Sequence, residues 1–172
     1  LYERLASKTG AGEHRSLLIL GRYRHNQPTR LISWQRKFGH LLDIEYSTIH
    51  AAKGLEADFV CVAPMSSGRY GFPSTIEDDP VLLLAMPHAD DFPFAEERRL
   101  FYVAVTRAKR MVALFAPEER RSQFFNTLVA WGIAVHDASG NEVRSVTCDE
   151  CGKGQMVCRD GPYGQFLACD RF

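Results

Sequence analysis

The stretch STIHAAKGLEADFV, residues 47–60, decides the fold. It leaves one apolar run, LLDIEYSTIH, and enters another, DFVCVAPM (Asp58–Met65). Between them His50, Lys53, Gly54 and Glu56 fall within seven residues. Both runs are short and apolar, which predicts buried strands. In an open α/β sheet, ligands collect beyond the carboxyl ends of the strands. The spacing therefore predicts that all four polar residues follow the strand ending near Thr48 and stand on that rim. Glycine lets backbone approach a ligand closely. A glutamate accepts two hydrogen bonds from a ribose, and a histidine or lysine contacts a phosphate or stacks on a base. The same residues also suit a solvated loop capped by Thr48, and the stretch alone leaves both readings open.

Outward from this stretch the pattern repeats. SLLILGRYRHN (Ser16–Asn26) is an apolar run ending in a polar turn, and predicts a strand. QPTRLISWQRKFG follows as a helix, with Pro28 near its start and Gly39 at its end. SSGRYGFPSTIEDDP is turn-rich and predicts a surface loop. AEERRLFYVAVTRAKR (Ala95–Arg110) places acids early and bases late, as a helix dipole favours. MVALFA (Met111–Ala116) predicts a fourth strand and ERRSQFFNTLVAWG another helix. Strands alternating with helices predict a parallel sheet of the α/β class. Cys61 and Trp34 lie within apolar elements and are expected in the core.

Two arginines add to the loop. Arg22 follows the first strand and is expected on the same rim. Arg107 closes an apolar helix face. Arg107 could pair with a glutamate in a fork and merely fix the helix. It could instead reach a transferring phosphoryl group, where such an arginine contributes about 10³–10⁵ in rate.

With these residues in view, the chain resembles the UvrD/Rep-type superfamily 1 DNA helicases. STIHAAKGLEADFV resembles their motif V, EERRLFYVAVTRAKR their motif VI and LLILGRYRHN their motif IV, in the same order. The resemblance covers roughly residues 16–116. It implies the second RecA-like motor domain, 2A, of a P-loop NTPase helicase, with ATP and Mg²⁺ held in a cleft against a first, N-terminal motor domain of the same polypeptide. Arg22 and Arg107 match the arginines that reach the γ-phosphate, with Arg24 the alternative to Arg22. Glu56 matches the ribose contact, with Gly54 beside it. Thr48 and His50 match contacts to single-stranded DNA, and Lys53 serves either site. The implied reaction is ATP hydrolysis coupled to 3′→5′ movement on DNA, single-stranded and duplex.

The chain departs from the full pattern. It contains no G-x-x-x-x-G-K-[ST] loop and no acidic pair after an apolar strand. By itself it is therefore expected not to hydrolyse ATP. Its opening Leu1 and closing DRF read as cuts, so a fragment is expected.

From about Asn141 the periodic pattern gives way to Gly, Cys and charge. Two units are expected: residues 1–140, the motor domain, and residues 141–172, a cysteine module. Cys148 and Cys151 stand in C-x-x-C spacing, and Cys169 follows after seventeen residues, within the roughly 15–20 of zinc ribbons. Thiolates so spaced suit tetrahedral Zn²⁺. The module resembles the zinc ribbons of bacterial type IA topoisomerases, a pattern that continues to a further Cys. It implies Cys148, Cys151 and Cys169 as ligands, with the fourth lost to truncation and Cys158 at a variable position. Cys158 as the fourth ligand of a Cys₄ site is the alternative.

Bulk properties narrow the rest. Lys plus Arg and Asp plus Glu both total 21, so no basic footprint advertises nucleic acid. No apolar run of about 18 residues occurs, so no membrane span is expected, and the charged start is no signal peptide. Four of five cysteines crowd between Cys148 and Cys169, which favours a metal site in a reducing cytoplasm over a disulfide framework. Asp78, Asp79, Asp90 and Asp91 are expected to be solvated charges. His88 and His136 carry no signal. A nucleic-acid-binding module with a degenerate helicase fold and a zinc ribbon is the competing function. A nuclease-fused relative ranks below it, since no acidic cluster follows the motif VI stretch.

Overall fold

A computed structural model describes residues 14–76, 93–136, 142–143, 148, 150–162 and 164–171. Four parallel strands form the main sheet in the order β2-β1-β3-β4: β1 (Arg15–Gly21), β2 (Leu42–Thr48), β3 (Ala57–Val62) and β4 (Ala108–Leu114). Among the described residues three α-helices accompany it: α1 (Leu31–Phe38), α2 (Ala95–Val105) and α3 (Gln123–Ala130). The α/β class with a parallel sheet holds. A two-residue ladder joins β5 (Val135–His136) to β6 (Glu142–Val143). A separate antiparallel hairpin joins β7 (Met156–Gly161) to β8 (Gly164–Cys169).

Both faces of the sheet are covered, which is why β1 reads as a continuous apolar run rather than an alternating one. Leu17 and Ile19 join Ile44, Phe59 and Cys61 under α1. Leu18 and Leu20 join Val60, Val62, Phe72 and Leu100 under α2 and α3. Each such side chain contributes about 1.5–3 kcal/mol by leaving water. Burial also pushes the Cys61 thiol up to about 12, so it behaves as a small apolar group. Trp34 is only partly buried against the α1 side of the core.

Three expectations change. The helix predicted through Arg110 stops at Val105. The Thr106 hydroxyl donates to the carbonyls of Tyr102 (2.9 Å) and Val103 (3.1 Å), and the Arg107 carbonyl accepts from Ala57 N of β3 at 3.0 Å. Sheet pairing thus captures the chain, and β4 begins at Ala108 rather than Met111. The segment after β3 is not simply exposed, because Phe72 is 1% and Ser74 7% accessible. Phe72 fills the core between Phe101 and Phe124, so a Gly/Pro-rich loop carries a core anchor. Asp78, Asp79, His88, Asp90 and Asp91 lie outside the described residues. His136 is exposed in β5.

The end of β1 is shaped by close approach. The Tyr46 hydroxyl donates to the Tyr23 carbonyl at 2.5 Å. A Cβ on Gly21 would meet the Tyr46 hydroxyl and would lie 2.7 Å from Asn26 Cβ. Glycine is therefore required where β1 hands over to the turn that carries Tyr23.

Candidate functional site

The polar residues of the 47–60 stretch do not share one rim. Thr48 closes β2 at the carboxyl edge of the sheet, and His50 follows it, exposed. Residues 49–56 then cross to β3, which runs parallel to β1 and must start at the amino edge. Buried Ile49 and Ala52 pin the crossing to the core. Gly54, at φ 91°, turns the chain there. Glu56 thus stands just before Ala57, at the amino edge. The single-rim expectation is corrected for a topological reason: a parallel crossover returns to the edge where strands begin.

Helix α2 runs the same course in parallel. Its first turn lies beside Arg22 at the carboxyl edge, and its last turn delivers Arg107 to the amino edge, next to the start of β4. At the carboxyl edge, Glu97 is 8% exposed. Its carboxylate accepts from Arg22 Nε at 2.9 Å, from Arg22 Nη2 at 2.7 Å and from Ser74 N at 3.0 Å. Arg22 is thereby neutralised in the fork geometry of Arg–carboxylate pairs. Its remaining nitrogen, Nη1, lies 3.4 Å from His50 Nδ1. Arg24 sits exposed in the following turn, without an ion-pair partner among the described residues.

Arg107 is different. Nε donates to the Val103 carbonyl at 3.0 Å, Nη1 to the Leu55 carbonyl at 3.3 Å and Nη2 to Thr106 Oγ1 at 3.3 Å. Every partner is neutral, so among the described residues this half-buried cation has no counter-charge. Its contact with Leu55 sets it against the Gly54–Glu56 loop. Glu56 itself meets Lys109 at 3.3 Å across an exposed gap. Gly54, Glu56 and Arg107 are therefore brought together. Thr48 and His50 gather with Arg22 on the opposite edge, and Lys53 is exposed on the crossing between.

The cysteine hairpin forms a third centre. The sulfurs of Cys148, Cys151 and Cys169 lie within 4.8 Å of one another, with Cys151 and Cys169 at 3.6 Å. Tetrahedral zinc–thiolate bonds of about 2.3 Å would space sulfurs by roughly 3.8 Å, so the donor set fits a zinc-like ion. Gly152 turns with φ 62°. Gly154 leaves open the space beside Cys169 Sγ that a Cβ would fill. Backbone N–H groups of Lys153 and Gly154 pull the Cys151 thiol down to about 7, favouring the ligating thiolate. The Cys158 backbone pairs with Leu167 within the hairpin, and its side chain lies outside the described ones.

A parallel α/β domain with these motifs on opposite edges of its sheet defines a class. The model of the UvrD-like helicase C-terminal domain matches residues 31–118, and the chain belongs to that family. Among individual proteins, it is 39% identical over 112 residues to DNA helicase IV of Escherichia coli K12, covering 65% of this chain and 16% of that protein. It is 40% identical over 73 residues to the probable DNA helicase II homolog of Mycoplasma genitalium, covering 42% of this chain and 9% of that protein. Against the ATP-dependent DNA helicase Rep of Escherichia coli K12 it is 33% identical over 78 residues, covering 45% of this chain and 10% of that protein. The chain thus spans a sixth or less of the length of these relatives.

Sequence reasoning missed Glu97 and Ser74. Glu97 meets Arg22 across 75 residues and Ser74 N across 23, and no local spacing announces such partners. An acid in the first turn of α2 reads as dipole compensation until the fold supplies the arginine.

Proposed function

We propose that this chain is the 2A motor portion of an ATP-dependent 3′→5′ DNA helicase, completed by an N-terminal motor domain of the same polypeptide. Residues 1–140 form the motor unit in this reading and residues 141–172 an accessory unit. ATP with Mg²⁺ is held between the two motor domains, and the cytoplasm is the compartment. The observation that carries the reading is the uncompensated Arg107 guanidinium held by Leu55 against the Gly54–Glu56 loop. A half-buried cation with only neutral partners is a ready receptor for an anion. Its charge is oriented in advance, so stabilising a developing phosphate charge costs no reorganisation.

In this role Arg107 reads the γ-phosphate, Glu56 takes the ribose hydroxyls and Gly54 admits the sugar close to the backbone. Because the phosphate belongs to the facing domain, Arg107 acts only when the cleft is shut, which ties hydrolysis to domain closure. Arg22, paired with Glu97 on the opposite edge of the sheet from Arg107, would need more than the opening of that pair to reach the same phosphate. Thr48, His50 and Lys53 form the single-strand surface, which needs few polar groups and accords with a neutral net charge. Cys148, Cys151 and Cys169 hold Zn²⁺, which would fix the hairpin as an auxiliary DNA contact. No helix among the described residues is long and apolar enough to cross a membrane.

The test uses the whole polypeptide. Arg107→Ala is expected to lower DNA-stimulated ATP turnover by about 10³-fold or more, with binding of a fluorescent ATP analogue retained. The 172-residue chain alone is expected to show no turnover. Turnover by the isolated chain, or an unaffected Arg107→Ala enzyme, refutes the assignment. No turnover by the whole protein at any DNA concentration leaves the competing binding-module reading.

A further inference from the structure

Beside His50, the carboxyl edge carries a group of aromatic rings that none of the roles above uses. Tyr23 and His25 are stacked, with centroids 5.2 Å apart and planes within 10°. Tyr70 stands edge-on to both, at 5.9 Å from Tyr23 and 6.2 Å from His25. His25 is exposed and Tyr70 is 58% exposed, so these rings add little to the core.

The group is nevertheless rigidly mounted. The Tyr23 hydroxyl donates to Ser74 Oγ at 2.9 Å, and its carbonyl is held by Tyr46. Tyr70 rides on a tight turn closed by Gly71 N to Gly68 O at 2.9 Å and Phe72 N to Ser66 O at 2.8 Å. Phe72 then anchors that turn in the core. Exposed rings held this firmly have already lost the freedom that binding would otherwise cost.

The charge around them has one sign. Residues 22–30 and 66–76 contain Arg22, Arg24, Arg30 and Arg69 and no acidic residue. Glu97 neutralises Arg22. Arg24 and Arg69 are exposed, with Arg69 Cζ 5.8 Å from the Tyr70 ring centroid. Flat π-faces interleaved with free guanidinium groups fit a ligand that alternates bases with phosphates. An apolar or proline-rich peptide would use the rings and leave the arginines unpaired.

We propose that Tyr70 and His25, mounted on Tyr23 and flanked by Arg24 and Arg69, form a base-stacking platform for single-stranded nucleic acid, continuous with His50. The platform rests on the strand-binding reading of Thr48, His50 and Lys53, but it stands on separate residues.

The test is fluorescence anisotropy of the chain with a labelled oligothymidylate and with an abasic oligomer of equal length. Tyr70→Ala is expected to weaken oligothymidylate binding about tenfold and to leave abasic binding unchanged. His25→Ala acts in the same direction, and Tyr70→Phe retains affinity. Arg69→Gln is expected to reduce the salt slope by about 0.7, one phosphate contact on a single strand. Equal affinities of Tyr70→Ala, His25→Ala and the parent chain for oligothymidylate overturn the platform, including the case in which the rings serve a peptide. Loss in Lys53→Ala without loss in Tyr70→Ala overturns the platform and keeps the motif V surface. Loss in Tyr70→Ala without loss in Thr48→Ala or Lys53→Ala does the reverse. No binding by the parent chain overturns both.

Discussion

The parallel sheet and the cysteine hairpin are held together by opposite means. In the sheet, Leu17, Leu20, Ile44, Val60 and Val62 are 1% exposed or less, and both faces are packed. In residues 148–171, the buried side chains among the described ones are Cys148 and Cys169, with Gly154 between them. Phe166, the large aromatic among its described side chains, is 50% exposed. A unit this small cannot bury enough apolar area to offset the entropy of ordering its chain, so it needs a staple. The sheet stores its stability in area, whereas the proposed zinc site would concentrate that of the hairpin at three sulfurs.

The largest expected effect breaks that contrast if it fails. With Zn²⁺ supplied, Cys151→Ser or a chelator should abolish amide protection in β7 and β8 while β1–β4 keep theirs. Structural zinc contributes about 10–16 kcal/mol in units of this kind. Hydrogen exchange reads both regions at once, and loss in the sheet as well would show one cooperative unit. Next in size, Glu97→Ala should cost about 3–5 kcal/mol in urea unfolding, because it strands a largely buried Arg22. A cost below about 1 kcal/mol would mean that area alone holds the sheet.

A pH titration sharpens the comparison further. The Ser16 N–H first, then the Ser16 hydroxyl, Arg15 and Arg110, hold Asp58 below its ordinary 3.8 despite partial burial. Its folded pKa lies below its unfolded one, so its contribution is complete above the ordinary value. That contribution is lost as pH falls through the ordinary value towards the folded one. Asp58→Asn should therefore flatten the acid side of the stability profile below about pH 4, read by urea midpoints. An unchanged profile would remove Asp58 from the sheet's support. The smallest effect belongs to Lys109→Ala. Its exposed pair with Glu56 should be worth less than about 1 kcal/mol, and a larger loss would assign Lys109 a packing role.

Much of this was readable in the chain. Runs such as SLLILG and DFVCV carry no polar interruption, so burial on two faces follows from composition. The nearness of Cys148 to Cys151 was legible in their C-x-x-C spacing, whereas Cys169 was expected beside them from the resemblance to zinc ribbons, and the three sulfurs do lie within 4.8 Å of one another. What stayed hidden depends on contacts between distant segments. Glu97 meets Arg22 across 75 residues, and Tyr70 meets His25 across the whole of β2 and β3. Phe72 lay disguised among Gly and Pro, since turn chemistry describes a backbone and not where one ring points. The split of Glu56 and Arg107 from Thr48 needed the strand order, which decides the edge to which each connection returns.

Gly21 carries a last consequence, one of inheritance. Because a methyl group there would strike both the Tyr46 hydroxyl and Asn26, positions 21, 26 and 46 form one unit of change. Alanine at position 21 is blocked while tyrosine stands at 46 and the 24–26 turn keeps its course. The phenol that fixes Tyr23 thereby restricts which substitutions a lineage can try at a position twenty-five residues earlier in the chain.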